Sequence, residues 1–291
     1  MSVLHTPVLV GEVVEWLRIR PEGTYVDSTA GTGGHSLEIA RRLTTGKLVA
    51  MDRDPRALEV ARERLKDFEA QVILVHSEFS RIGEVARELK LPPLDGVVAD
   101  LGVSTLELDS PERGFSFRAA GPLDMRMNPE SALTAEEIVN HWPEKELADL
   151  IYRKADERDS RRIARALVRA RPIRDTAHLA TVVAGVLKAR GRQRLHPATK
   201  TFLALRIAVN REEEELGQFL SWTPATLNSG GRWIVLSYHS LEDRLVKHEF
   251  QRLARHGSFR VLTKKPIQPS EPEIQGNPRA RSAKMRVIEK N

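Results

Sequence analysis

Between residues 24 and 101 the sequence alternates short β-branched apolar runs with helix-period segments, and few folds can hold such a chain. Thr24–Thr29, Lys47–Asp52, Gln71–His76 and Leu94–Leu101 read as strands. His35–Leu43, Pro55–Lys66 and Arg81–Lys90 read as helices between them. Strands apolar on both faces belong to a parallel sheet covered on both sides, and right-handed β-α-β units wind it. Before the first strand, Thr6 and Pro7 followed by Val8, Val10, Val13, Val14 and Leu17 predict a capped helix with Pro in its first turn.

The alternation stops after Leu101. Ser104–Asn128 is a loop region, and Thr134 to about Thr199 carries only helical signals. Thr134 with Glu137 is a capping-box pattern. A long basic helix beginning near Lys154 is expected to end at Pro172. Further helix is expected over Lys200–Asn228. A strand over Arg232–Ser237, a helix over Leu241–Ala254 and two strands near Ser258–Lys264 and Ala283–Glu289 complete the chain. The expectation is one α/β domain with a seven-stranded, Rossmann-like sheet, made of residues 1–113 and 200–291, and an inserted helical domain at 114–199. A strand pair after the last helix suits a class I S-adenosylmethionine-dependent methyltransferase better than a dehydrogenase.

Composition narrows the chemistry. The 291 residues include no cysteine, which excludes disulfides, thiolate nucleophiles, iron–sulfur clusters and cysteine–zinc sites, and makes a cytoplasmic location the expectation. The start of the chain has no basic stretch followed by an apolar run, so no signal peptide is expected. The net charge is +6, but Arg153 to Lys200 alone holds 14 Lys and Arg against 4 Asp and Glu, or 14 − 4 = +10. A merely solvated face mixes signs, so this excess points to nucleic acid, with Arg161, Arg162 and Arg165 as candidate contacts.

Three acids close three strands. Asp27 precedes the turn of Gly31, Gly33 and Gly34, where glycines admit a ligand close to the backbone and a helix begins. A dinucleotide fingerprint needs a third Gly at position 36, where Ser36 stands, and Asp27 suits the cationic amino group of S-adenosylmethionine. Asp52 ends the second strand, where a carboxylate accepts from both ribose hydroxyls, while Asp54 with Pro55 reads as a helix cap. Asp100 ends the fourth strand. The run Ser237 to Arg244 leaves the fifth strand, and Ser240 with Asp243 forms a loose capping box beside His239 and Arg244.

At this point a resemblance becomes specific. The runs HTPV (5–8), GTGGHS (31–36), DRDP (52–55), DLGVS (100–104), RGFSF (113–117), GPLDMRM (121–127), HPATKTF (196–202), HSLEDR (239–244) and NPRARSAK (277–284) resemble the bacterial small-subunit ribosomal RNA (cytosine-N4) methyltransferases, the RsmH/MraW family. The resemblance implies that Gly33, Gly34, His35, Asp52, Phe79 and Asp100 bind S-adenosylmethionine. It adds Glu107, at a position where the family usually has Gln; Leu106 stands where Pro is usual. Ala120 and Asn128 replace common acids around 121–127 without touching Asp124 or Arg126, the latter a candidate RNA contact.

Methyl transfer from a sulfonium is an in-line displacement that requires alignment and no metal. Carbon-5 methylation of cytosine normally uses a cysteine nucleophile, which this chain lacks, so nitrogen or a ribose oxygen is the acceptor. The resemblance selects cytosine N4. Asp100 either helps the amine or touches only cofactor; Asp124, His239 and Asp243 are further candidates for positioning the base. Phe115 and Phe117 either stack on an extruded base or pack locally. The expected partner is ribosomal RNA, free or in the assembled small subunit. Oligomeric state is not specified. A DNA amino-methyltransferase and a non-catalytic ribosome-assembly factor are the competing readings.

Overall fold

The computed structural model describes residues 7–187 and 196–291. In chain order its helices are α1 (Val10–Leu17), α2 (Gly34–Ala40), α3 (Pro55–Arg64), α4 (Ile82–Glu88), α5 (Thr105–Asp109), α6 (Ala135–His141), α7 (Glu144–Ala155), α8 (Ser160–Arg169), α9 (Thr176–Leu187), α10 (Thr199–Val209), α11 (Glu212–Thr226), α12 (Ser240–Arg255) and α13 (Glu271–Gly276). Its strands are β1 (Thr24–Asp27), β2 (Lys47–Asp52), β3 (Val72–His76), β4 (Leu94–Asp100), β5 (Leu227–Ser237), β6 (Phe259–Val261) and β7 (Lys284–Lys290).

The chain divides into two compact units. The first joins residues up to Gly102 with Glu213–Asn291. It is a seven-stranded sheet in the order β3-β2-β1-β4-β5-β7-β6. Strands β1 to β5 pair in parallel, and β7 runs antiparallel to both β5 and β6. This is the expected class I methyltransferase arrangement. Alternation along each strand supplies both faces. Val97 and Ala99 pack on one side with Val49, Met51, Phe219, Trp233 and Phe250. Val98 packs on the other with Leu17, Tyr25, Leu48, Ile234 and Val287.

The second unit is Val103–Glu212. The expected boundaries at 113/114 and 199/200 therefore fall inside it. The reason is packing: Phe202, Ala204, Leu205 and Val209 of α10 bury in its core with Leu123, Met125, Met127, Ile138, Ile151 and Leu167. On the other side of the boundary, Val103 and Leu108 pack against that core.

Several local expectations change. Thr6 lies outside the described residues, and α1 starts only at Val10, after Leu9 in the left-handed region at φ 53. The Leu9 N–H is satisfied by the distant Glu273 carboxylate at 2.7 Å rather than by a local cap. The long basic helix expected from Lys154 to Pro172 is two helices. Asp156, left-handed at φ 48, ends α7, and α8 begins at Ser160. The helix expected over 200–228 is also broken, at Asn210 and Arg211, the latter at φ 49. Strand β5 starts at Leu227, because Gly230 at φ 76 and an irregular register against Leu94 and Gly96 carry the chain through a bulge.

Candidate active site

Strand order reverses direction between β1 and β4, and ligands in open α/β sheets sit beyond the carboxyl ends at such a switch point. Asp27 and Asp100 close those two strands, and Asp52 closes β2 beside them. The three acids are not equivalent.

Asp27 is fully buried. The Ser36 hydroxyl donates to it at 2.6 Å and the Thr29 N–H at 3.3 Å. Burial pushes its carboxyl up, opposed by His35 and the Ser36 hydroxyl. Asp27, expected to meet an amino group of the cofactor, braces the turn through these bonds. Asp52 keeps solvent access. One of its oxygens accepts the Gly31 N–H at 2.7 Å and the other the Asp54 N–H at 2.8 Å. Burial raises its pKa, and the two N–H donors oppose that. Asp54 accepts the Arg56 N–H at 3.0 Å and caps α3, as its spacing predicted.

The glycines also divide. Gly31 is left-handed at φ +51, and a Cβ there would meet nothing within 4 Å. Gly33, at φ +80, lies so close to α3 that a Cβ would sit 3.3 Å from the Ala61 Cα. A Cβ on Gly34 would stand 3.0 Å from Pro7. Of these three glycines only Gly31 would carry a Cβ into free space; Gly33 and Gly34 lie against Ala61 and Pro7.

Asp100 is half-buried and held from several elements. Its backbone N–H donates to the Thr29 hydroxyl at 2.6 Å, and the Tyr238 hydroxyl donates to its Oδ1 at 2.7 Å. Its Oδ2 lies 3.8 Å from His35 Nδ1. His35 is buried, and its Nε2 is 2.9 Å from the Val8 carbonyl, which can only accept, so Nε2 carries a hydrogen. His35, expected at the cofactor, thus stands buried beside Asp100. Burial pushes the Asp100 carboxyl up to about 6, against the lowering effect of His35 and Tyr238. Phe79, expected at the cofactor, is buried and packs edge-on against Phe219 at 5.2 Å, so its ring belongs to the core.

His239 is the N-cap of α12, accepting the Glu242 N–H and lying 3.1 Å from the Glu242 carboxylate. The cap expected from Ser240 and Asp243 is corrected accordingly. Asp243 instead pairs with Arg286 at 2.7 Å and Lys284 at 3.3 Å. Burial raises its carboxyl, but these cations outweigh that and hold it below the usual range. Asp243, expected to position a base, ties α12 to β7.

In the helical unit, Arg126 grips Asp124 through two bonds, Nε at 2.7 Å and the terminal nitrogen at 2.9 Å. Burial raises the Asp124 carboxyl, and Arg126 more than reverses it. Arg126 also donates to the carbonyls of Pro129 and Ser131 at 2.8 Å each. Both residues, expected to position a base and to face RNA, are engaged in folding their own loop. Asn210 accepts the Met127 N–H and donates to the Met125 carbonyl, each at 2.8 Å, so the 121–127 run is anchored to the end of α10. Phe115 is buried, with the Arg113 guanidinium 5.9 Å from its ring centroid. Phe117 is half-buried, 4.5 Å from the His196 ring and 4.9 Å from Phe202, which brings the 113–117 and 196–202 runs together. Glu107 is buried. Its carboxylate accepts the Ser104 N–H at 2.7 Å while its own N–H donates to the Ser104 hydroxyl, a reciprocal capping box. Glu107, expected at the cofactor, thus caps α5, and the S-x-x-E spacing was the available signal for that cap.

Arg161, Arg162 and Arg165 lie exposed on α8, opposite buried Ile163, Ala164 and Leu167. Arg162 pairs with Asp159 at 3.3 Å and Arg165 with Glu144 at 3.4 Å. Lys188, Arg190, Arg192 and Arg194 of the basic segment lie outside the described residues. The residues that sequence reasoning missed are Thr29, Ser36, Tyr238 and Glu242, all neighbours of motif positions.

A family model described as "MraW methylase family" matches residues 2–291. A protein of Solibacter usitatus named ribosomal RNA small subunit methyltransferase H is 50% identical over 98% of this chain and 99% of its own. Proteins of the same name from Koribacter versatilis and Acidobacterium capsulatum are 51% and 50% identical, over 97% and 98% of this chain and 93% and 98% of theirs. With the strand-end acids, the glycine turn and this match over its whole length, the chain belongs to the MraW methylase family.

Proposed function

We propose that this protein transfers a methyl group from S-adenosylmethionine to N4 of a cytidine in small-subunit ribosomal RNA, in the cytoplasm. The relatives' shared name carries the substrate class. The observation that carries the chemistry is the pair of strand-end acids that keep solvent access, Asp52 and Asp100, at the switch point of the sheet.

The residues present fit S-adenosylmethionine. A side chain at position 31 would enter open space, next to a carboxylate already aimed by the Gly31 N–H. Each Asp52 oxygen takes one backbone N–H and retains a lone pair for a ribose hydroxyl. Gly31 and Asp52 would hold the nucleoside part. Bound there, S-adenosylmethionine supplies an electrophilic methyl carbon on a sulfonium.

The rest falls to the chain. The amine of cytosine is a weak nucleophile because its lone pair is delocalised into the ring. Methylation converts an amine with two hydrogens into one with a single hydrogen and releases a proton. A carboxylate that accepts a hydrogen bond from the amine raises its nucleophilicity and is placed to receive that proton. Asp100, with a pKa of about 6, is ionised at pH 7 yet basic enough for this task. The lack of cysteine removes the carbon-5 route and radical chemistry on iron–sulfur clusters. The basic face of α8 would dock on phosphates, and a target in a loop or junction lowers the cost of extruding one base.

The test is to incubate the protein with labelled S-adenosylmethionine and small subunits from a strain lacking this modification, then digest to nucleosides. Label in N4-methylcytidine is the expected result. Label in 5-methylcytidine, methyladenosine or ribose overturns the assignment, as does methylation of naked duplex DNA at a comparable rate.

A further inference from the structure

We propose that Tyr238 is a positioning residue of this methyltransferase, its hydroxyl orienting the Asp100 carboxylate toward the acceptor amine. The proposal rests on the reading above, in which Asp100 faces the reacting groups.

Tyr238 directly follows β5, which lies beside β4 in the sheet. Its hydroxyl donates to Asp100 Oδ1 at 2.7 Å across a sequence separation of 138 residues. The tyrosine is itself fixed at two points. Its backbone N–H donates to Glu242 Oε2 at 3.0 Å, in the first turn of α12. Its ring lies against Gly102, where a Cβ would stand 3.4 Å from Cδ2. Gly102, at φ +107, has a conformation that L side chains rarely adopt, so the residue that follows Leu101 leaves room for the ring and for the turn after β4.

Asp100 is thus held on three sides. Thr29 takes its backbone N–H, Tyr238 donates to Oδ1, and His35 stands 3.8 Å from Oδ2. The charged and titratable groups around it are His35 from α2, Asp27 from β1, Tyr238 after β5 and Glu242 from α12. Burial and the nearby acids Asp100, Glu242 and Glu273 drive the Tyr238 phenol well above its ordinary value. It therefore stays protonated throughout the working range and serves Asp100 only as a donor. A donor bonded to the charged form favours that form and lowers the acid's pKa. Tyr238 therefore keeps Asp100 ionised at neutral pH despite its burial, and fixes which lone pairs remain for an amine.

The test is the pH–rate profile of methylation of unmodified small subunits, read as kcat and KM. The wild type is expected to lose activity below about pH 6, where the Asp100 carboxyl takes up a proton. Tyr238→Phe keeps the ring on Gly102 and removes only the hydroxyl. Its acidic limb is expected to move up by about one pH unit, with kcat at pH 6 falling about fivefold and RNA KM unchanged. Site-specific 3-fluorotyrosine at position 238 is a stronger donor of the same shape, and the limb is expected to move the opposite way. Opposite shifts from two variants are not the signature of local packing. Thermal melting of each variant checks folding, and the fluorinated protein carries the test if the phenylalanine variant is unfolded. A limb that stays in place in folded variants, or a pH-independent loss, overturns the role of Tyr238, as does a wild-type profile with no acidic limb. Asp100→Asn separates the two levels: full activity in that variant overturns the reading of Asp100 itself, whereas its inactivity beside unshifted Tyr238 variants removes only the positioning role.

Discussion

The Asp52 carboxylate accepts the Gly31 N–H at 2.7 Å, tying the end of β2 to the turn that follows β1. The bond places a charged acceptor beside the one turn glycine that faces open space. Asp52→Ala is expected to cost about 1.5–3 kcal/mol of cofactor affinity, the range for a lost hydrogen bond to a charged group. Calorimetry with S-adenosylhomocysteine should show a Kd roughly ten- to a hundred-fold weaker. Unchanged affinity in the folded variant would take Asp52 out of the site.

Two glycines two residues apart in the turn should fail differently. Gly33→Ala combines φ +80 with a Cβ 3.3 Å from the Ala61 backbone, so it should destabilise the protein by about 1–3 kcal/mol. Gly31→Leu puts a side chain into open space, so its main effect should be on ligand affinity, beyond the roughly 1 kcal/mol of backbone strain. Urea denaturation and calorimetry on both variants distinguish the two effects. Equal loss of affinity in a stable Gly33 variant would contradict this division.

Asp100 should oppose stability while serving chemistry. Its carboxyl is pushed from 3.8 to about 6 in the fold, so between those values the native state binds more protons than the unfolded state. Stability contributed by this group therefore falls as pH rises through that window, and the full penalty is present above it. Asp100→Asn is expected to gain about 1–3 kcal/mol at pH 8 and nothing at pH 3.5, while losing methyl transfer. Thermal melts at the two pH values decide it; a variant less stable than wild type at pH 8 contradicts the sign.

The exposed face of α8 should hold RNA. Reversal of Arg161, Arg162 and Arg165 to Glu leaves Ile163, Ala164 and Leu167 in the core, so the helix should stay folded. RNA affinity should fall at least tenfold and its salt dependence should flatten, because fewer counterions are released. Affinity for S-adenosylhomocysteine should be unchanged. Filter binding across a salt series is the measurement, and an unaltered slope would assign these arginines to a solvated face.

The sheet was legible because its signals are local. Strand β2 falls on the expected Lys47–Asp52, and the ends of β1 and β4 lie within two residues of expectation. Apolar runs, turn glycines and the cap at Asp54 are each decided by residues within a few positions. The same locality made Ser104 and Glu107 readable as a capping box, a signal overshadowed by the family resemblance. The break at Asp156 was hidden for the opposite reason: no Gly or Pro marks it, and only a left-handed residue there ends α7.

The roles of the polar residues were decided by tertiary structure. Asp27, Asp52 and Asp100 look alike as strand-end acids, yet Asp27 is sealed against Ser36 while the other two keep access. Asp243 stood in the right motif, but Arg286, 43 positions away, claims it. Tyr238 carried no signal beside His239, because its partner Asp100 lies 138 residues earlier. Periodicity and spacing are properties of neighbours along the chain, so the sequence by itself determined the strands, their order of appearance and the acids at their ends. Burial and pairing depend on which distant side chains the sheet brings within 3 Å, and only the folded chain decides that.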